Sequence, residues 1–90
     1  MLCFKDVAKI VADVYNYVFY KNSYYYKIKT EDVMPNNSFN GLGFNYLAYK
    51  KLSSLIYLHF NIEILPENLN TFKTIGNLYK YIDCYRILKN

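Results

Sequence analysis

One histidine, two cysteines and seven carboxylates are the first candidates for acid–base, nucleophilic or metal chemistry in this 90-residue chain. They do not assemble into a site by spacing. Asp6, Asp13, Glu31, Asp32, Glu63, Glu67 and Asp83 are scattered, and none pairs with His59 in a nucleophile–base pattern. Cys3 and Cys84 lie near opposite ends with no Cys-x-x-Cys or Cys/His spacing, so the expectation is reduced thiols, at least one of them partly buried, and no zinc. An enzyme in its own right is not expected. The better-placed chemistry is in Gly43-Phe44-Asn45-Tyr46-Leu47. Here a glycine turn and an N-capping asparagine precede a helix. The start of a helix exposes unpaired N–H groups and the positive end of its dipole, a setting that suits a phosphate ester on a nearby hydroxyl. A second constellation interleaves Lys21, Lys27 and Lys29 with Tyr24, Tyr25 and Tyr26. Such mixing can bind single-stranded nucleic acid, although no nucleic-acid motif accompanies it.

The elements that position these residues read as helices. Over residues 4–20, Val7, Val11, Val14 and Val18 recur at helical spacing, with Ile10 and Tyr17 widening the stripe. Lys5, Lys9, Asp13 and Asn16 take the other side. Residues 21–41 form a long connection, in which 24–29 mimic a strand but have no second strand to pair with; Glu31 and Asp32 read as a solvated loop or helix start. A second helix is expected from about Asn45 to Phe60, with Leu52, Leu55, Ile56 and Phe60 inward, Leu47 and Ala48 helping, and Asn61 as terminator. Ile62–Leu65 is too short for a sheet. Pro66 opens a short third helix, and Thr74 caps a fourth over 75–88, with Ile75, Leu78, Ile82 and Tyr85 inward.

Composition bounds the rest. Hydrophobic residues are 53% of the chain, enough for a packed single domain over residues 1–90. No apolar run approaches the roughly 20 residues that span a bilayer. MLCFKDVAKIV carries charges inside its apolar stretch and reads as an amphipathic helix rather than a secretory signal, so a cytoplasmic protein is expected. Net charge is +4 and tyrosines number 12. Periodicity and composition alone support a small all-α bundle.

Three blocks, in order, add a resemblance. Ser38–Leu47, with Gly43, Asn45 and Leu47, resembles the segment that opens the second helix of acyl and peptidyl carrier proteins, and Phe39 is similar to that family's loop anchor. Phe60-Asn-Ile-Glu-Ile-Leu-Pro-Glu resembles the segment after that helix, and Phe72-Lys-Thr-Ile-Gly-Asn-Leu-Tyr-Lys-Tyr-Ile resembles the family's ending. The resemblance implies a four-helix bundle of acyl-carrier-protein type: three main helices, one short helix and a long loop between helices one and two. It also implies that Tyr46 stands where the family carries its phosphopantetheine serine. A phenolic oxygen displaced outward by its ring does not fit a transferase built for serine, so no phosphopantetheine is expected. Family members present acidic residues on helix two to basic patches of their enzymes; here residues 45–60 contain no carboxylate but do contain Lys50 and Lys51.

The expected function is therefore a carrier-like protein without its prosthetic group, a binding or regulatory partner of a fatty-acid, polyketide or nonribosomal-peptide type enzyme. Phe44, Tyr46, Tyr49, Lys50, Lys51 and Tyr57 are the candidate partner contacts. The alternative is an unconventional carrier that holds an acyl or aminoacyl group through another residue, or non-covalently in an apolar pocket of Leu52, Ile56, Leu69 and Ile75. Tyr46 itself can be read as a surface aromatic, an interaction anchor or a nucleophile activated by the helix end.

Overall fold

Helix formation starts with α1, Phe4–Phe19, whose buried side chains are Val7, Ala8, Ile10, Val11, Ala12 and Val14. The computed structural model describes residues 2–19 and 27–89. Then come a 3-10 turn, Thr30–Asp32, and helices α2 (Tyr46–Phe60), α3 (Pro66–Leu69) and α4 (Ile75–Lys89). The described residues form four helices and no strand; one isolated bridge pairs Ser38 with Thr74. No helix among them is long and apolar enough to cross a membrane. Of the strand-like run 24–29, residues 27–29 carry no strand, while 24–26 and Lys21 lie outside the described residues.

The buried arc of α1 is rotated from the stripe read in the sequence. Ala8 and Ala12 are inside it, because their small side chains let the 3-10 turn and neighbouring helices approach closely. Tyr17, on the far edge, is consequently exposed, a correction to its inward reading. Asn16 is also not a simple solvated residue. Its amide donates to the Ile28 carbonyl (2.9 Å) and accepts from the Ile28 N–H (2.8 Å), clamping the loop to α1. Lys29 N–H donates to Asp32 (2.8 Å) and holds the 3-10 turn.

The core joins all four helices and the connecting segments. Phe39, Leu52, Ile56, Ile62, Leu69, Ile75, Leu78 and Ile82 are fully buried with Val7, Val11 and Val14 of α1, and no polar side chain is buried with them among the described residues. Residues 62–65 run beside α2 with no helix or strand, Ile62 and Ile64 inward and Glu63 outward; Ser53 donates to the Ile64 carbonyl (2.6 Å) and pins them. Pro66 occupies the first turn of α3, as its missing N–H allows.

The long loop also caps α4. Thr74 accepts from Asn77 N–H (3.1 Å), while the Asn37 and Pro35 carbonyls accept from Ile75 N–H (3.0 Å) and Gly76 N–H (2.9 Å). These N–H groups would otherwise lack intrahelical partners. The approach explains the glycine: a Cβ on Gly76 would stand 2.8 Å from the Pro35 oxygen. Both cysteines are free and exposed, which corrects the expectation of partial burial.

Candidate functional site

The start of α2 is built by a tight turn. Ser38 Oγ accepts from Gly41 N–H (2.8 Å), Asn40 O from Gly43 N–H (3.0 Å) and Phe39 O from Phe44 N–H (3.0 Å). Gly43 adopts φ 78°, the left-handed region that side-chain-bearing residues rarely enter. The chain then turns into Asn45, whose side chain accepts from Ala48 N–H (2.9 Å) and caps the helix. Tyr46 follows as the first helical residue. At the other end Asn61 ends α2 in the left-handed conformation, donating to the Tyr57 carbonyl (2.9 Å).

Tyr46 points outward. It is 64% exposed, and its ring centroid lies 5.8 Å from Lys50 Nζ. No hydrogen bond joins its hydroxyl to a base among the described residues. Lys51 lies 4.5 Å from the ring centroid of Tyr17 on α1. Leu47, Tyr57 and Leu58 are 58%, 57% and 74% exposed. At about 100° per residue, Leu47 falls opposite Leu52 and Ile56, which is why it faces outward rather than helping the core. The outer face of α2 is thus apolar and basic at once.

Two aromatic candidate contacts are less exposed than Tyr46 and Tyr57. Phe44 is 8% exposed and packs against Phe39 (centroids 5.4 Å apart) and Tyr49 (5.7 Å); its side chain anchors the turn and does not offer itself to a partner. Tyr49 is half-buried in the same trio, 5.9 Å from Phe39. Desolvation raises its phenol above the ordinary value of 10.0. Leu52, Ile56, Leu69 and Ile75 are core side chains, and none of them lines the clefts at the surface described next.

The largest of those clefts, about 670 Å³, lies between the 38–44 turn and residues 70–73, over Phe39, Phe44, Tyr49 and Phe72. Another, about 270 Å³, brings His59 near Asp6 and Asp13. Asp6 already accepts from Cys3 N–H (2.9 Å) and Asp13 pairs with Lys9 (3.4 Å). No group of three or more His, Cys, Asp or Glu among the described residues could hold a metal ion.

Sequence reasoning missed Leu58 and the outward turn of Leu47. The signal was present: the pairs Tyr46/Leu47 and Tyr57/Leu58 are eleven residues apart, three helical turns, so both pairs share one face. No protein-family model, curated protein or solved structure matches this chain.

Proposed function

We propose that this chain is a carrier-shaped binding protein that works without a phosphopantetheine arm, as a non-catalytic partner of an enzyme of fatty-acid, polyketide or nonribosomal-peptide type. The reading rests on the resemblance of its three sequence blocks to acyl and peptidyl carrier proteins. The helix order, one long helix, a long loop, a second helix, a short third and a fourth, is compatible with it. One observation carries it: the first residue of α2, behind the Gly43 turn and the Asn45 cap, is an outward, solvent-exposed tyrosine rather than a serine. A serine there would present a hydroxyl close to the helix end; tyrosine moves the oxygen away and supplies a large aromatic surface of the kind favoured in interfaces.

Incubation with coenzyme A and a broad-specificity phosphopantetheinyl transferase, followed by intact-mass measurement, tests the reading. The wild-type chain keeps its mass, and Tyr46→Ser gains one arm. An arm on the wild type contradicts the loss of the carrier role. A Tyr46→Ser protein that folds but stays unmodified contradicts the carrier-like geometry of this helix end.

A further inference from the structure

Helix α2 is apolar on both sides. Its inner side packs in the core through Ala48, Leu52 and Ile56, which leaves Tyr46, Leu47, Tyr57 and Leu58 uncovered on the outer side. Four large exposed apolar side chains on one helix form a patch of the kind that marks an interaction site. Their order along the helix is informative. The two apolar pairs stand about 17 Å apart along the axis, and Lys50 and Lys51 lie between them, all within about 140° of arc. Neither lysine forms an ion pair among the described residues, and α2 contains no carboxylate. The face therefore reads apolar, basic, apolar.

That order discriminates among occupants. A second copy joined about a two-fold axis would set the apolar pairs against each other but bring its lysines against lysines, a like-charge contact. A bilayer could take up the apolar pairs, but the central lysines share their arc and would have to snorkel back to the headgroups rather than lie on a separate polar face. Single-stranded nucleic acid would stack on the tyrosines but has no use for Leu47 and Leu58. A protein helix with two apolar clusters three turns apart and carboxylates between them satisfies all six side chains.

We propose that the outer face of α2 docks an acidic amphipathic helix of a partner protein, with Tyr46/Leu47 and Tyr57/Leu58 as apolar anchors and Lys50 and Lys51 reading its central carboxylates. The inference rests on the binding-protein reading above and specifies that partner's chemistry.

The test uses two synthetic helical peptides with the same two apolar clusters, one with glutamates and one with lysines between them. Binding to the full chain is followed by calorimetry. The glutamate peptide is expected to bind at least tenfold more tightly, and raising salt from about 50 to about 300 mM narrows the gap by screening. Lys50→Glu with Lys51→Glu reverses the preference; Lys50→Glu alone, at an exposed position, narrows it if the double variant does not fold. Tyr57→Ala with Leu58→Ala weakens both peptides tenfold while the melting temperature holds. Equal affinity for the two peptides, no binding of either, or a preference indifferent to the Lys50 change overturns the inference. So does lysine-dependent binding of phosphatidylserine vesicles or oligo-dT in place of the peptide. An arm added to the wild-type chain by the transferase would overturn the carrier reading and leave the peptide preference intact, so the two failures are separable.

Discussion

Tyr46 and Tyr49 are three residues apart and lead different lives. Tyr46 is outward beside Lys50; Tyr49 closes an aromatic trio with Phe39 and Phe44. Burial favours the neutral phenol of Tyr49 and raises its pKa above that of the unfolded chain. Its contribution is therefore present below pH 10 and is lost as pH rises through the folded value, because the unfolded state releases the proton first. Melting temperatures of wild type and Tyr49→Phe measured at pH 9 and pH 11 check this. The wild type falls more steeply with pH than the variant; equal slopes contradict it. The identity of such buried and exposed neighbours was only partly legible. Phe44 reads as a surface aromatic in a turn, yet the Gly43 turn folds it back against Phe39. Asn16 reads as solvent-facing, yet it finds the Ile28 backbone twelve residues away, a contact that helical period does not reveal.

At the scale of elements, the ends of the helices were legible because local chemistry determines them. Asn45, Asn61, Pro66 and Thr74 each stand at the boundary where capping rules place them. Which side of a helix faces inward was less legible when apolar residues surround it. α1 rotates toward its alanines, and α2 leaves Leu47 and Leu58 outside, since burial depends on which neighbours arrive rather than on hydrophobicity alone. The loop's docking on α4 likewise depends on a close approach, and this supports a graded prediction. Gly76→Ala forces a Cβ against the Pro35 carbonyl and should cost about 1–3 kcal/mol, as overpacking does. Gly43→Ala meets no atom within 4 Å but must hold a left-handed backbone, at about 1–2 kcal/mol. Urea unfolding of both variants measures these losses; a neutral Gly76→Ala would contradict the packing of loop on helix.

For the whole molecule, the core and the proposed interaction face are two sides of the same helix. The bundle buries its aliphatic side chains with no polar side chain buried among the described residues. What remains distinctive is surface: a basic chain, net charge +4, with an apolar and lysine-bearing α2 that opens on a tyrosine. The bundle itself could be read from periodicity and composition. The face could be read only once the angular positions of Leu47 and Leu58 were fixed by the packing of Leu52 and Ile56 beneath them. The central proposal is that this helical chain works as bare polypeptide. Intact-mass measurement of the chain purified from its own source tests it most directly. The expected result is a polypeptide mass with no added phosphopantetheine; a species heavier by one phosphopantetheine arm would contradict it.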